Sequence, residues 1–267
     1  MATPAHDHGP VLDRDGVRLT VDDAIATVTL TNPAKRNVQG PALWRALIEA
    51  GRLLPGSVRI VVLRAEGKSF SAGLDRKAFT PEGFDGELSF LSLAREADAE
   101  LDATIALYQG AFTWWRRSDI VSIAAVQGHA IGAGFQLALA CDLRVVAEDA
   151  QFAMRETSLG LVPDLTGTHP LVGLVGYARA LEICLTGRFV PAEEAVTTGL
   201  ANVAVPADQL DGAVQDLAAA VLSAPRDAVV ETKALLQGAR DRDYDAQRAA
   251  ERAAQARRLR DLAGLGE

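Results

Sequence analysis

A single stretch, residues 127–142 (QGHAIGAGFQLALACD), constrains the fold of this chain more than any other segment. An apolar run at residues 120–126 precedes it, and Gly132, Ala133 and Gly134 lead directly into a segment rich in alanine and leucine. This pattern predicts a strand, a tight glycine turn and the beginning of a helix. A helix N-terminus presents unpaired N–H groups and the positive end of the helix dipole. We therefore expect a site at this turn for an anion or for an oxygen that gains negative charge.

The composition, with 49% hydrophobic and 23% charged residues, is that of an ordinary globular protein. The net charge of −8 argues against general affinity for nucleic acid, because binding to a phosphate backbone needs a positive surface. The sequence contains no apolar run long enough to cross a bilayer, so no membrane association is expected. Residues 1–16 lack the apolar core of a signal peptide, and we interpret them as a disordered leader of a cytoplasmic protein. Cys141 and Cys184 lie among apolar neighbours and are predicted to be core residues.

Periodic patterns predict alternating strands and helices along most of the chain. Residues 17–21 and 24–31 alternate apolar and polar side chains around Asp22 and Asp23, which is typical of a β-hairpin. Further predictions are helices at 40–54 and 94–117, strands at 60–65, 120–126, 143–147 and 151–153, a mobile loop at 79–93, and a loop through Pro163 and Gly167. This order predicts an α/β domain of stacked ββα units over residues 17–195. Residues 196–267 form a separate, almost wholly helical segment in this interpretation.

Five motifs occur in order and at compatible spacing: residues 32–37 (NPAKRN), 70–75 (FSAGLD), 127–142, 151–163 and 185–200. Together they resemble the crotonase family, also called the enoyl-CoA hydratase/isomerase family, over roughly residues 17–236. The resemblance implies a spiral of repeated ββα units that binds an acyl-coenzyme A thioester. It further implies that residues 196–267 pack homotrimers or dimers of trimers. Coenzyme A is then part of the substrate, and neither a separate cofactor nor a metal is expected.

By position, the resemblance places the two oxyanion-hole donors at the backbone N–H groups of Leu74 and Ala133. The second position is usually glycine in this family, but a backbone donor survives replacement by alanine where the backbone conformation permits it. The implied coenzyme A contacts are Lys35, Arg36, Val38, Ala72, Asp75, Arg76 and Lys77. Basic side chains suit phosphates, yet a solvated surface cluster is an alternative interpretation of the same residues.

The acidic positions are where this chain departs from the hydratase pattern. In hydratases of the family two glutamates flank the substrate; here the first position is Gln136 and the second matches Glu156. Gln136 can orient a water but cannot take its proton. Asp164 falls where some isomerase branches carry an aspartate. Glu156 could instead be a buried ion-pair partner of Arg155, and Asp164 could be a loop cap.

Three functions stay open from the sequence. Moving a double bond needs one carboxylate to remove and return a proton, and Glu156, with or without Asp164, would suffice. Family frequency instead favours hydration of a 2-enoyl-CoA. The loss of the first acid also allows an acyl-CoA-binding protein without turnover. A hydrolase is disfavoured because no nucleophile motif occurs, and His129 and His169 are not at metal-ligand spacing.

Overall fold

The computed structural model describes residues 11–84 and 89–266. The strands are β1 (Leu12–Arg14), β2 (Val17–Asp22), β3 (Ile25–Leu30), β4 (Ile60–Ala65), β5 (Val121–Val126), β6 (His129–Ile131), β7 (Leu143–Ala147), β8 (Gln151–Ala153), β9 (Val190–Pro191) and β10 (Val203–Val205). The helices are α1 (Pro41–Arg52), α2 (Phe90–Leu93), α3 (Asp98–Thr113), α4 (Ala133–Ala140), α5 (Thr168–Val175), α6 (Tyr177–Thr186), α7 (Ala192–Thr197), α8 (Leu210–Ser223), α9 (Arg226–Gly238) and α10 (Tyr244–Leu262). The predicted mixed α/β class with a helical C-terminal segment is confirmed.

The main sheet has the strand order β1-β2-β3-β4-β5-β7-β10. The hairpin β2–β3 is antiparallel, with Val17 opposite Leu30 and Asp22 opposite Ile25, as its alternating pattern predicts. From β3 onward every neighbouring pair is parallel. The carboxyl ends of these parallel strands therefore share one edge of the sheet, and chain segments that leave them can meet there.

Both faces of the sheet are buried at β4, which is why this strand is a nearly continuous apolar run in the sequence. Val61 and Leu63 face a large core that α1, α3 and α4 cover. Ile60 and Val62 alternate to the opposite face, where they pack with Leu210, Val214 and Ala218 of α8. Because side chains alternate along a strand, a strand covered on both faces needs apolar residues at every position.

A smaller sheet carries the turn that precedes α4. Its strand order is β6-β8-β9, with His129–Ile131 parallel to Gln151–Ala153. The chain turns at Gly132 and begins α4 at Ala133, as the glycine pattern predicts. The residues of α4 are buried all along the helix, so its apolar composition reflects a central position rather than an amphipathic surface helix.

Two predicted boundaries are wrong. Strand β1 lies within the predicted leader and pairs antiparallel with β2, so residues 12–14 belong to the sheet; residues 1–10 lie outside the described residues. Strand β10 pairs in parallel with β7, so the core continues beyond residue 195. Both strands have three residues, and pairing rather than an alternating pattern defines strands of that length.

Several other segments differ from the sequence patterns. The loop predicted through Pro163 and Gly167 is present, but it is followed by α5 and α6, which were not predicted. The long helix predicted from residue 94 begins at Asp98. Residues 85–88 of the predicted mobile loop lie outside the described residues. Over the ranges 11–84 and 89–266, no helix is both long and apolar enough to cross a membrane.

Candidate functional site

Two glycine turns meet beside the main sheet. One is Gly73-Leu74 after β4, and the other is Gly132-Ala133 before α4. A Cβ atom placed on Gly73 would lie 2.4 Å from the carbonyl oxygen of Ile131 and 3.6 Å from the nitrogen of Ala133. The turns thus touch through their backbones, and only glycine at position 73, where φ is +84°, allows that approach.

The first turn directs the N–H of Leu74 by fixing the carbonyl that precedes it. The oxygen of Gly73 accepts a hydrogen bond from the N–H of Gln39 at 2.7 Å. In a trans peptide the C=O and the next N–H point in opposite directions. The N–H of Leu74 therefore points away from Gln39 and has no acceptor among the described residues.

The second turn orients the N–H of Ala133 in the same way. The oxygen of Gly132 accepts the first helical hydrogen bond of α4 from the N–H of Gln136, at 2.9 Å. The N–H of Ala133 therefore projects outward from the helix N-terminus, and no acceptor for it lies in the described part of the chain. Alanine is tolerated at position 133 because Gly132, with φ at +52°, takes the positive-φ conformation of the turn and position 133 is helical. Two unpaired donors in the wall of one cavity are the arrangement that an oxyanion needs.

Both residues line a cavity of about 1160 Å³. Its wall includes the three positions of interest from the sequence, Gln136, Glu156 and Asp164. Apolar side chains supply much of the remainder: Trp44, Phe79, Phe90, Leu93, Leu101, Ile105, Leu161 and Val162. A cavity of this size and lining suits a ligand with a large apolar part and a few fixed polar contacts.

Glu156 and Gln136 form a direct pair within this cavity wall. The Gln136 Nε2 donates to Glu156 Oε1 at 2.6 Å, while Gln136 Oε1 accepts the N–H groups of Leu165 at 2.9 Å and Gly167 at 3.2 Å. Glu156 Oε2 is buried and accepts no hydrogen bond from the described residues. Gln136 is thus occupied by protein partners, and it fixes one carboxylate oxygen while the other stays available.

The surroundings of Glu156 favour its protonated form. The residue is 8% exposed, and burial raises the pKa of its carboxyl above the ordinary value. Hydrogen bonds from its own backbone N–H and from Gln136 lower that pKa in part, and the negative charge of Asp164 raises it again. The alternative ion pair with Arg155 is not formed, because the Arg155 guanidinium donates to the Gly187 carbonyl and lies over the Phe189 ring.

Asp164 shares the cavity but is more accessible than Glu156. Desolvation raises the pKa of its carboxyl, although the residue as a whole is exposed and solvent screens its charge more effectively. Its backbone carbonyl accepts a hydrogen bond from Gln109 of α3 at 2.7 Å. The structure therefore brings Asp164 to the same cavity as Glu156, close enough for the two charges to interact.

The predicted coenzyme A positions fall into two groups. Lys35, Val38, Ala72, Asp75, Arg76 and Lys77 all line the cavity. Arg36 differs from the prediction: its side chain is exposed and outside the cavity wall, and its carbonyl accepts the N–H of Ala72 at 2.9 Å. Asp75 also has a local task, since its carboxylate caps the short 3-10 helix Arg76–Phe79 through the N–H of Lys77.

Sequence reasoning missed the buried residues that support the first turn. Asn37 lies within the NPAKRN motif and donates to the carbonyls of Glu66 and Ser69. Gln39 and Ser71 are fully buried and hydrogen-bonded to each other at 3.1 Å. The signal was polar residues within or just after the motifs, namely Asn37 in NPAKRN, Gln39 two residues later and Ser71 in FSAGLD. Pairing between segments so far apart in sequence is not visible without the fold.

The histidines and cysteines contribute no metal site among residues 11–84 and 89–266, where no group of three potential ligands is found. His129 is exposed and lies 3.4 Å from Ser69 Oγ. Cys141 is buried, as expected of a core residue, and burial raises its pKa to about 12. Cys184 is partly buried.

Comparison with known proteins identifies the family. A family model described as Enoyl-CoA hydratase/isomerase matches residues 20–261. The chain belongs to this family. It is 31% identical to the "Putative enoyl-CoA hydratase/isomerase YhaR" of Bacillus subtilis (strain 168), over 91% of each protein. The cavity described above therefore lies in a protein of the enoyl-CoA hydratase/isomerase family.

A solved structure gives a stronger likeness. It is a "putative enoyl-CoA hydratase from Thermobifida fusca YX in complex with acetoacetyl-CoA", 49% identical, covering 92% of this chain and 95% of that one with a TM-score of 0.89. The match to the "Enoyl-CoA isomerase/hydratase claC" of Penicillium crustosum is 35% identical over 69% of this chain, but this chain spans only 20% of that longer protein.

Proposed function

We propose that this protein is an acyl-CoA isomerase that moves a double bond through a thioester enolate, with Glu156 as the single proton carrier. The observation that carries the proposal is the pair Gln136–Glu156. An amide occupies the position of a second acid, and it is hydrogen-bonded to Glu156 itself rather than free to activate water. Glu156 Oε2 remains without a hydrogen-bond partner in the described structure.

The proposed steps use groups already described. The thioester oxygen of a 3-enoyl-CoA accepts hydrogen bonds from the N–H groups of Leu74 and Ala133. Glu156 takes a proton from C2, and the electrons of that C–H bond pass into a dienolate whose charge rests on the thioester oxygen. The Glu156 carboxyl then returns the proton to C4, which gives the 2-enoyl-CoA. Each oxyanion donor is typically worth about 2.7–4 kcal/mol in such a transition state.

The basic and apolar parts of the cavity suit the two ends of this substrate. Lys35, Arg76 and Lys77 would contact the coenzyme A phosphates, and the apolar wall would hold the acyl group. The Thermobifida fusca relative was solved with acetoacetyl-CoA, which supports an acyl-CoA ligand here. We propose no separate cofactor or metal, a cytoplasmic location, and a homotrimer or dimer of trimers packed through the C-terminal helices.

Hydration is the second candidate, and Asp164 is the observation that favours it. Its carboxyl lines the same cavity and its charge acts on Glu156. Two carboxyls in one cavity allow one to activate water and the other to protonate carbon. In this alternative Asp164 replaces the acid that Gln136 lacks.

Two substrates and two variants separate these functions. Crotonyl-CoA tests water addition and a 3-enoyl-CoA tests isomerisation. We expect isomerisation to dominate, and Glu156→Gln to lower kcat by about 10²–10⁴-fold while the dissociation constant for acyl-CoA changes little. Asp164→Asn should leave isomerisation nearly intact, whereas hydration by a carboxyl pair would lose most of its rate. Rapid hydration of crotonyl-CoA that depends on Asp164 would replace the isomerase proposal, and binding of both thioesters without turnover would indicate an acyl-CoA-binding protein.

A further inference from the structure

Ser71 lies at the centre of a buried hydrogen-bond network under the first oxyanion turn. Its side chain is 0% exposed, and its hydroxyl has three partners. The hydroxyl donates to the carbonyl of Asn37 at 2.7 Å, and it lies 3.1 Å from Gln39 Nε2 and 3.2 Å from the N–H of Gly73. Because both of the latter groups are donors, the hydroxyl accepts from them and its own proton goes to Asn37.

The network extends to a side chain in the cavity wall. Trp44 Nε1 donates to Gln39 Oε1 at 3.0 Å, which fixes the amide of Gln39 with its Nε2 toward Ser71. Trp44 itself lines the cavity. Gln39 also acts through its backbone, because its N–H holds the carbonyl of Gly73 at 2.7 Å. Side-chain and backbone contacts thus hold Gly73 at both its N–H and its C=O.

Ser71 also contacts the second turn. Its N–H donates to the carbonyl of His129, and its carbonyl accepts the N–H of Ile131. A Cβ atom on Gly134 of α4 would lie 2.7 Å from both the Ser71 Cβ and its carbonyl oxygen. The backbone of Ser71 therefore sets the spacing between the turns. Its hydroxyl holds the peptide between Ala72 and Gly73, which immediately precedes the peptide that carries the N–H of Leu74.

We propose that Ser71, supported by Gln39, is a positioning residue for the oxyanion hole. This inference rests on the proposed function, since it takes the thioester oxygen to lie between the N–H groups of Leu74 and Ala133. Without the hydroxyl, the N–H of Gly73, the Gln39 amide and the carbonyl of Asn37 each lose a buried partner. The peptide between Ala72 and Gly73 then rotates to give the N–H of Gly73 another partner. This rotation shifts the next peptide, and the N–H of Leu74 no longer points at the substrate oxygen.

The test compares Ser71→Ala with Ser122→Ala. Ser122 is a matched control because it is also 0% exposed, donates to the carbonyl of Trp115 at 2.8 Å and accepts the N–H of Asp142 at 2.9 Å. It lies outside the cavity wall. Both variants lose a buried hydroxyl network, so both should lose stability. Gln39→Met, which removes the amide contacts but keeps the side-chain volume, is the second variant of the network.

Two readouts report oxyanion geometry rather than stability. The first is kcat for the 3-enoyl-CoA, which should fall by about 10- to 100-fold in Ser71→Ala with KM changed much less. The second is the infrared carbonyl stretch of hexanoyl-CoA labelled with ¹³C at the thioester carbonyl, a ligand without a double bond to react. Hydrogen bonds at the carbonyl oxygen lower this frequency on binding to the wild-type protein. Ser71→Ala and Gln39→Met should reduce that downshift, and Ser122→Ala should retain it.

The outcomes separate this inference from the proposed function. Wild-type kcat and a wild-type carbonyl downshift in Ser71→Ala, with loss of stability alone, would overturn the positioning role and leave the isomerase proposal intact. Equal losses in Ser71→Ala and Ser122→Ala would also overturn it, because the effect would then be general. A wild-type protein that neither turns over enoyl-CoA nor binds hexanoyl-CoA would remove the proposed function and this inference together.

Discussion

Glu156, the proposed proton carrier, lies in surroundings that should lower the stability of the folded protein. Burial raises the pKa of Glu156 in the folded state above its unfolded value. Between these two values the folded protein holds more protons than the unfolded chain, so stability decreases as pH rises through this window. We expect Glu156→Gln to be more stable than wild type at pH 7, with a gap that closes below the unfolded pKa of Glu. Chemical denaturation of both proteins across this pH range measures the gap.

Protonation of Glu156 also determines how the reaction rate decreases at low pH. In the proposed mechanism, proton removal from the substrate needs the Glu156 carboxylate, so the isomerisation rate should fall as pH decreases through the raised pKa of this group. The acid limb of the pH–rate profile should therefore lie above the ordinary range of a glutamate. In the denaturation experiment, by contrast, a stability difference between Glu156→Gln and wild type that stays constant with pH would contradict the burial of a titrating carboxyl at position 156.

At the scale of single residues, the sequence indicates which side chains belong to the site but not which groups they contact. Gln136, Glu156 and Asp164 were predicted as candidate site residues, and all three line one cavity. The protein partners of Gln136 were not predicted: the amide is hydrogen-bonded to Glu156 and to two backbone N–H groups. Those N–H groups belong to the turn at residues 165–167, whose approach to α4 depends on tertiary packing that no local pattern encodes.

Helices α4 and α8 differ in what surrounds their glycines, and this difference gives a prediction at the scale of elements. Gly212 in α8 is exposed with nothing within 4 Å of an added Cβ, whereas such a Cβ on Gly134 in α4 would lie 2.7 Å from Ser71. Gly212→Ala should stabilise the protein by about 0.5–1 kcal/mol through helix propensity. Gly134→Ala should destabilise it by about 1–3 kcal/mol through overpacking. Urea unfolding of the two variants checks the opposite signs; a stabilising Gly134→Ala would show that α4 can move away from Ser71.

Helices and strands with a regular spacing of apolar residues were predicted from the sequence. Short strands that exist because they pair with another strand were not. The hairpin, β4 and β7 follow directly from alternation or β-branched runs, whereas the three-residue β8 was predicted without such a period. Strands β6 and β10 have three residues each and exist because they pair with β8 and β7. Helix α5 was missed because Pro170 and Gly173 interrupt its pattern, although proline is tolerated in a first helical turn.

At the scale of the whole molecule, one buried ammonium joins the C-terminal helices to the core. Lys233 of α9 is 9% exposed and donates to the carbonyls of Arg117 and Ile120 and to Asp142 Oδ2, at 2.6–2.7 Å. These acceptors lie just before β5 and just before β7. Desolvation lowers the pKa of Lys233, and the negative charge of Asp142 opposes that shift. The C-terminal segment, predicted as a separate unit, is thus tied to the sheet by a polar contact as well as by apolar packing.

We therefore expect the C-terminal helices and the core to unfold together, and Lys233→Met to weaken that coupling. The substitution leaves Asp142 and two carbonyls without their buried partner; because Asp142 keeps the N–H of Ser122, the expected loss is about 3 kcal/mol, near the lower end for breaking a buried pair. All three tryptophans precede the C-terminal helices: Trp44 and Trp115 lie in the main hydrophobic core, and Trp114 packs against it. Far-ultraviolet circular dichroism, in contrast, reports the helices α8–α10 strongly.

Denaturant unfolding followed by both signals tests this coupling. In the wild-type protein the two transitions should coincide, because a tied segment shares the cooperativity of the core. In Lys233→Met the circular dichroism signal should fall at a lower denaturant concentration than tryptophan fluorescence, since the helices lose their tie before the core unfolds. Glu148→Gln, a change outside this contact, is the control and should keep the transitions together. Coincident and unshifted transitions in Lys233→Met would mean that apolar packing alone holds the C-terminal helices on the sheet.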